Sequence, residues 1–213
     1  MKTTRKLARL AGRTLKRLYE YRDLAVTAQG MEDKCRDKLI SHVCINVQNT
    51  WAEFCRAYAL STVRVPVRRG GQSIVLGDCG IRTEADVVVA AMKRLKSHIY
   101  QRGTWTRRDE PPWHDPNTLL HTLGDMKASN IEDLRSAFSL GSRVFDDLPV
   151  FRNFYAHRSE DTAEKARRVA YRYGIPVREH PTAILCRTSP GASQPVILEW
   201  MDDLWATVQM VCD

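Results

Sequence analysis

Residues 35–60, CRDKLISHVCINVQNTWAEFCRAYAL, show the clearest structural pattern in this chain. Its apolar residues recur every three or four positions and fall within about 60° of one line on a 3.6-residue helical wheel. Such a stripe is typical of a long helix that packs one face against a core. The pattern therefore predicts a mainly α-helical protein. The stripe residues are Ile40, Val43, Cys44, Val47, Trp51, Phe54, Cys55 and Tyr58.

Two short segments interrupt the helical patterns on either side of this stretch. Alternating apolar residues around an Arg-Arg-Gly-Gly turn predict a β-hairpin within residues 63–80, and Pro66 confines its first strand to a sheet edge. A second pattern predicts strands at 183–187 and 196–198, on both sides of a Ser-Pro-Gly turn. The fold class that we predict is a helical bundle with two short β-hairpin insertions, near 63–80 and 183–198.

Positive charge is concentrated at the N-terminal end. Residues 1–22 hold eight Lys or Arg against Glu20 alone, so they carry +7 of the net charge of +8. A basic stripe attracts RNA by long-range attraction and counterion release. Leucines recur at helical spacing in the same segment, so it can also pack on a core, and a solvated face is the plain alternative. We predict a basic N-terminal helix over 1–33 and a helical domain over 34–213.

Membrane, secreted and metal-binding classes find little support in the sequence. No run of 18 apolar residues predicts a membrane span, and the first residues lack the apolar stretch of a secretory signal, so we expect a cytoplasmic protein with no membrane contact. The six cysteines form no CxxC motif and no short Cys/His pairing, so we expect no metal and no cofactor. The alternative to a metal-free protein is a zinc enzyme in which His114 and Asp115 bind the metal.

The segment LPVFRNFYAHR, residues 148–158, carries the groups best suited to chemistry, and we predict a helix from Pro149 to Arg158. On a helical wheel its aromatic residues form one face and its polar residues lie opposite. The aromatic face consists of Phe151, Phe154 and Tyr155; the polar side consists of Arg152, Asn153 and His157.

Each polar residue has a role in metal-free RNA cleavage, in which a 2′-hydroxyl attacks the neighbouring phosphorus. His157 can exchange a proton at neutral pH as general base or acid. Arg152 can hold phosphate oxygens by two parallel hydrogen bonds and stabilise the charge that develops on them. Asn153 lies four residues before His157 and can orient its ring. The alternative is structural: Arg152 braces a loop and His157 caps a helix end.

The run Arg-Asn-Phe-Tyr-Ala-His, residues 152–157, resembles the R-x4-6-H signature of the HEPN superfamily, in which Asn commonly follows the Arg. The resemblance covers about residues 34–212 and is strongest at 149–158. It implies a helical bundle, metal-independent endoribonuclease activity and a homodimer whose two motifs meet in one cleft. It further implies a toxin or phage-defence effector with an antitoxin or sensor protein as partner. Some HEPN toxins have H-x-Y where this chain has Ser159, so silencing by tyrosine modification is not expected.

Polar residues of the long helix are candidates for a second wall of that cleft. They lie on the face opposite the apolar stripe, and Glu53 is a candidate partner for Arg152. A solvated or interface face is the alternative. This polar face consists of His42, Asn46, Asn49, Glu53 and Arg56.

Two further groups are candidates for RNA binding. A proline-rich loop combines indole rings with cations, as sites for single-stranded RNA do, although its Trp residues can equally pin the loop to the core. A later helix presents cations that can follow an RNA backbone or form a plain exposed face. The candidates are Trp105, Arg107 and Arg108 in the loop and Lys165 and Arg168 on the helix. The alternative function is a non-catalytic bundle that binds RNA or a protein.

Overall fold

The computed structural model describes residues 1–77, 79–139 and 142–213, and within these ranges the chain is mainly helical. None of the helices described is both long and apolar enough to cross a membrane. The α-helices are α1 (Leu7–Gln29), α2 (Asp33–Ser61), α3 (Glu84–Leu95), α4 (Ser97–Tyr100), α5 (Pro116–Asp125), α6 (Ile131–Phe138), α7 (Val144–His157), α8 (Glu160–Ala170), α9 (Pro181–Cys186) and α10 (Val196–Cys212). Short 3-10 helices lie at Thr62–Arg64, Arg107–Asp109 and Tyr171–Tyr173.

The long helix predicted from the apolar stripe is confirmed. It is α2, and every residue of the stripe is buried, with at most 2 % of its surface exposed. The helix extends two residues before Cys35 and one beyond Leu60. Because the stripe buries apolar surface along the whole element, local pattern and tertiary packing favour the same structure here.

The chain forms two compact units. The first consists of Met1–Thr14, Trp51–Gly141 and Thr207–Asp213, and the second of Leu15–Thr50 and Ser142–Ala206. Helices α1, α2 and α10 contribute residues to both units. The domain boundary predicted at residue 33 falls within the second unit.

In the first unit a buried tyrosine joins three segments that are far apart in sequence. The hydroxyl of Tyr58 on α2 donates a hydrogen bond to the carbonyl of Val211 on α10 (3.3 Å). The same hydroxyl accepts a hydrogen bond from the amide of Asn130, just before α6 (2.7 Å). Burial raises the pKa of Tyr58, so this phenol stays protonated and keeps its donor.

In the second unit a buried carboxylate joins α7 to the segment after α8. Asp147 has no exposed surface and accepts hydrogen bonds from Arg172 Nη1 (2.5 Å) and the hydroxyl of Tyr173 (2.9 Å). That hydroxyl in turn accepts from the indole N–H of Trp200 on α10 (2.8 Å). Burial outweighs these contacts and raises the pKa of Asp147.

The two predicted β-hairpin insertions are not shown, because no β-strand occurs in residues 1–77, 79–139 and 142–213. Among the described residues of 63–80 the backbone forms only isolated bridges, from Val67 to Lys6 and to Ser73. Val65 takes a φ of +49° and Pro66 has no N–H, so a regular ladder does not form there.

The second insertion, near 183–198, was predicted at residues that are mostly helical. The strand assignments at 183–187 and 196–198 are wrong, since α9 covers residues up to Cys186 and α10 begins at Val196. One isolated bridge, Thr188 to Pro195, remains between them. A three-residue apolar run is compatible with either structure, and burial of α9 and α10 selected the helix.

Candidate functional site

The segment singled out in the sequence lies on α7, which begins at Val144 and ends at His157. The predicted start at Pro149 is wrong, because this proline lies inside the helix. Proline favours the first helical turn but is tolerated further in when packing repays the lost hydrogen bond. The predicted end is correct to within one residue: Arg158 takes a φ of +47°, and its N–H donates to the carbonyl of Phe154 (2.7 Å).

The aromatic face of α7 is buried, as predicted. Phe151, Phe154 and Tyr155 are at most 5 % exposed. The ring of Phe151 packs edge-on against Trp200, with 5.5 Å between centroids, and that of Phe154 packs against His180 at 5.8 Å. These contacts hold the helix against the core of the second unit, so its opposite side has a defined orientation.

The polar side of α7 is open to solvent. Arg152 is partly exposed, and Asn153 and His157 are exposed. Among the residues that the structure describes, none of the three side chains forms a hydrogen bond or an ion pair within the chain. The role of Asn153 in orienting the imidazole of His157 is therefore not observed. The groups that would hold a phosphate and move a proton are free to contact a ligand.

Arg152 and His157 are too far apart to act as one contact pair on a single helix. Five residues of α-helix separate them by about 7.5 Å along the axis and about 140° around it. The imidazole of His157 on the same helix would therefore approach a phosphate bound to Arg152 from a different side than the guanidinium does. This spacing is compatible with the expected pairing of two copies of the motif.

Arg56, a candidate for the second cleft wall, is occupied by another contact. Its Nε and Nη2 donate hydrogen bonds to the two carboxylate oxygens of Glu110 (2.6 and 2.7 Å). The indole N–H of Trp113 donates to the same carboxylate (2.8 Å). The hydrogen bond and charge of Glu110 raise the pKa of Arg56 despite its partial burial. This cluster belongs to the first unit and attaches the loop before α5 to α2.

The other wall candidates differ in their surroundings. Glu53 accepts a hydrogen bond from the N-terminal ammonium of Met1 (3.3 Å) within the first unit. Asn49 is exposed and belongs to the second unit, as does Arg152. The structure does not show the predicted pairing of Glu53 with Arg152, and of the five residues of that polar face His42, Asn46 and Asn49 lie in the same unit as the α7 motif.

The two tryptophans of the proline-rich loop differ in burial. Trp113 is 6 % exposed and pins the loop to the core, as the alternative required. Trp105 is half-buried, and Arg107 and Arg108 are exposed on a 3-10 helix. Contact of these three residues with RNA stays a prediction.

The cations of α8 are paired with carboxylates of the same helix. Lys165 Nζ lies 2.7 Å from Asp161, and Arg168 Nη2 lies 2.5 Å from Glu164. Arg167 pairs with Glu160. Because α8 holds three acidic and three basic residues, its net charge is zero and its attraction for an RNA backbone is weak.

The basic N-terminal segment both packs on the core and exposes its charges. Leu7 and Leu10 are fully buried. No acidic residue occurs in residues 1–14, and every cation of this stretch is exposed. These cations are Lys2, Arg5, Lys6, Arg9 and Arg13. The segment therefore packs on the core with its leucine face and exposes its cations to solvent on another face.

The second unit contains a polar pocket that no sequence pattern indicated. Its volume is about 480 Å³, and it lies between the start of α2 and the start of α9. The two contributing segments are more than 140 residues apart, and neither contains a motif, so only the tertiary structure brings them together. The lining residues are Asp33, Lys34, Arg36, Asp37, Glu179, His180, Thr182 and Ala183.

Asp37 connects this pocket to the end of α7. Its Oδ1 accepts a hydrogen bond from the hydroxyl of Thr182 (2.5 Å), and its Oδ2 accepts from Arg158 Nη1 (2.7 Å). Burial disfavours the charge of Asp37, but these two donors outweigh it and lower the pKa of the carboxyl. The lowered pKa favours the ionised form of Asp37, which accepts a hydrogen bond from Arg158, the residue that follows His157.

The structure gives no support to a zinc site. In residues 1–77, 79–139 and 142–213 no three His, Cys, Asp or Glu side chains are grouped so as to hold a metal ion. The carboxylate of Asp115 caps α5 by accepting a hydrogen bond from the N–H of Asn117 (2.9 Å). The carbonyl of His114 accepts from the indole of Trp51 (2.9 Å).

No known family model matches this chain, and no curated protein or solved structure is significantly similar to it. The functional argument therefore depends on the residues described above and on the motif of α7.

Proposed function

We propose that this protein is a metal-independent endoribonuclease of the HEPN type, cytoplasmic and homodimeric, that acts as a toxin or antiviral defence effector. One observation carries the proposal: Arg152 and His157 are solvent-reachable, have no partner in the described part of the chain, and lie on a helix whose other face is anchored by buried aromatic rings. Unpaired cations and imidazoles on a rigid element are suited to ligand binding, because no internal contact has to be broken first.

The reaction that suits these groups is transesterification at phosphorus. The 2′-oxygen of one nucleotide forms a bond to the adjacent phosphorus, and the bond to the 5′-oxygen of the next nucleotide breaks. The products are a 2′,3′-cyclic phosphate and a 5′-hydroxyl. His157 takes the proton of the 2′-hydroxyl or supplies one to the leaving oxygen. Arg152 stabilises the extra negative charge on the phosphate oxygens.

A homodimer supplies what one helix lacks. The reaction needs one proton acceptor and one proton donor, whereas the α7 motif contains a single imidazole. Two copies of α7 facing each other would provide two imidazoles and two guanidinium groups around one phosphate. An antitoxin or sensor protein would then act by covering this surface or by separating the two copies.

The test is digestion of single-stranded RNA by the purified protein in excess EDTA. We expect cleavage that leaves cyclic-phosphate ends, and a loss of at least about 100-fold in rate for His157→Ala and Arg152→Ala. Matched controls are His121→Ala and Arg135→Ala, which remove an exposed residue of the same type from α5 and α6 and should cleave like the wild type.

Retained cleavage in both motif variants would refute the assignment of the site. Cleavage that EDTA abolishes would refute the metal-independent reaction. Circular dichroism and size-exclusion chromatography of each variant, at matched concentration, separate loss of chemistry from loss of fold or of the dimer.

A non-catalytic RNA-binding bundle is the second candidate function. The exposed cations of residues 1–14 favour it, because this stretch of the first unit contains no carboxylate side chain and presents a basic surface. This candidate predicts salt-sensitive RNA binding, no cleavage, and no effect of His157→Ala on affinity.

A further inference from the structure

The pocket between α2 and α9 is joined to the candidate catalytic helix by three separate contacts. Phe154 packs edge-on against His180, with 5.8 Å between ring centroids. The hydroxyl of Tyr155 lies 2.9 Å from the hydroxyl of Thr182. Arg158 donates to Asp37 at 2.7 Å. All three partners line the pocket, so the residues around His157 form part of its support.

The charges of the pocket disfavour an anion as its occupant. Three carboxylates and two cations line it, so its net charge is −1 when His180 is neutral. Arg36 is already paired with Asp33 (2.9 Å). A phosphate would meet repulsion here, whereas a neutral group with N–H donors would find acceptors.

The carboxylates provide hydrogen-bond acceptors with fixed positions. Glu179 is held by Arg187 (2.5 Å), and Asp37 is held by Thr182 and Arg158. An ionised carboxylate has about four acceptor positions, so each retains capacity for further donors. Exocyclic amino groups of nucleobases are donors of the matching kind.

His180 adds an aromatic ring and a donor. The N–H of Thr182 donates to His180 Nδ1 (3.3 Å), which leaves the ring proton on Nε2. His180 is exposed, and its contact with Phe154 leaves ring surface on which a base can stack. The volume of about 480 Å³ falls within the range typical of small-ligand pockets.

We propose that this pocket binds one unpaired nucleobase that carries an exocyclic amino group, namely adenine, cytosine or guanine. Asp37 and Glu179 accept hydrogen bonds from the base, and His180 stacks on it or donates to it. Uracil is disfavoured because it has no amino group and presents two carbonyl oxygens to the carboxylates. That the base belongs to an RNA substrate, whose scissile phosphate lies at Arg152 and His157, rests on the proposed function.

The first arm of the test measures base preference in cleavage. The substrates are oligonucleotides with one ribonucleotide in a deoxyribonucleotide chain, so that a single linkage is cleavable, with each of the four bases placed in turn on either side of it. We expect A, C and G to be cleaved about tenfold faster than U on one side, the effect of one hydrogen bond to a charged acceptor.

Two variants disrupt the pocket without touching the motif. Ala183→Trp fills it, and Glu179→Gln keeps the length of the side chain but removes a charged acceptor for the amino group of the base. Both should cleave all four substrates at about the rate of the U substrate. The matched control is Ala206→Trp, which adds the same side chain at an exposed position of α10 and should keep the preference.

The second arm measures binding of free AMP, CMP, GMP and UMP by equilibrium dialysis, in the His157→Ala background. We expect AMP, CMP and GMP to bind about tenfold more tightly than UMP, and Ala183→Trp to abolish this difference. Binding of mononucleotides without RNA cleavage by the wild type would identify the base of a free nucleotide as the occupant, with its phosphate outside the pocket, and would refute only the proposed function.

A wild-type protein that cleaves all four substrates equally, or pocket variants that keep the preference, would overturn the base pocket. If His157→Ala still abolishes cleavage in that case, the nuclease proposal stands. Equal affinity for UMP and the other three nucleotides would overturn the pocket in the second arm.

Discussion

Arg56 in the first unit and Arg152 in the second were both predicted to face one cleft, yet their surroundings differ completely. Arg56 donates to both carboxylate oxygens of Glu110, a residue whose side chain is 5 % exposed. Arg152 has no partner among the described residues and is reachable from solvent. The same residue type on a helix is therefore structural in one place and available for a ligand in the other.

The difference shows what an unpaired charge indicates. A guanidinium that is paired and partly buried stabilises the fold, because its loss would leave a carboxylate buried without compensation. A guanidinium without a partner contributes little to stability, so its position on a rigid helix needs another explanation. For Arg152 the explanation that we propose is a phosphate.

The largest expected effect separates these two arginines by stability. Arg56→Ala should lower the free energy of unfolding by about 3 kcal/mol, since it leaves the buried Glu110 carboxylate without its cationic partner. Arg152→Ala should change it by less than about 0.5 kcal/mol. Urea unfolding followed by circular dichroism measures both.

Glu164→Ala is the control for that experiment. It removes an exposed ion pair with Arg168 and should cost at most about 0.5 kcal/mol. Equal destabilisation by Arg56→Ala and Arg152→Ala would contradict the contrast between a structural and a ligand-binding arginine.

The second expected effect distinguishes two carboxylates of the second unit by pH. The pKa of Asp147 is raised by burial, so its ionisation disfavours the folded state: stability falls as pH rises from about 4 through the raised pKa. The pKa of Asp37 is lowered by its donors, so its contribution is present above pH of about 4 and is lost as pH falls through the lowered pKa.

Unfolding of wild type, Asp147→Asn and Asp37→Asn between pH 3 and 7 tests these signs. The stability difference between wild type and Asp147→Asn should change by at most about 1.4 kcal/mol per pH unit, decreasing as pH rises. The difference for Asp37→Asn should decrease as pH falls. A pH-independent difference in either case would show that the surroundings described for that carboxyl are wrong.

The smallest expected effect concerns the salt dependence of RNA binding, measured for cations of the N-terminal segment and for cations of α8. In the His157→Ala background, Arg5→Ala with Arg9→Ala should reduce the slope of log K against log salt by about 1.4, or 0.7 for each single-stranded phosphate contact. Lys165→Ala with Arg168→Ala should reduce it by less, since both cations are paired within α8. A larger reduction for the α8 variant would assign the RNA backbone to α8 instead.

Much of the fold could be predicted because strong local patterns agreed with the packing. The stripe of α2 and the aromatic face of α7 are long or dense enough to have a single interpretation. The errors fell on short segments, such as residues 196–198, where three apolar residues fit a strand or a helix equally well. Local preference predicts a helix start at Pro149, because it contains no information on how packing compensates a proline inside a helix.

Part of the candidate site could likewise be predicted from local pattern, and part depends on packing. The wheel of α7 alone placed Arg152 and His157 opposite the aromatic residues, since helix geometry fixes side-chain direction. Whether a charge is free or paired depends on residues far away in sequence. The contact of Arg56 with Glu110 spans 54 residues, and no local pattern encodes it.

Local sequence patterns were sufficient to predict the helical class, the long α2 stripe, the basic N-terminal segment and the face on which the α7 motif lies. These follow from periodicity and charge, which are properties of neighbouring residues. Folding was needed to show which cations are paired with carboxylates, that Asp147 is buried, and that a pocket lies beside α7. Each of these depends on segments brought together by folding, so its energy arises only when distant side chains exclude water around one another.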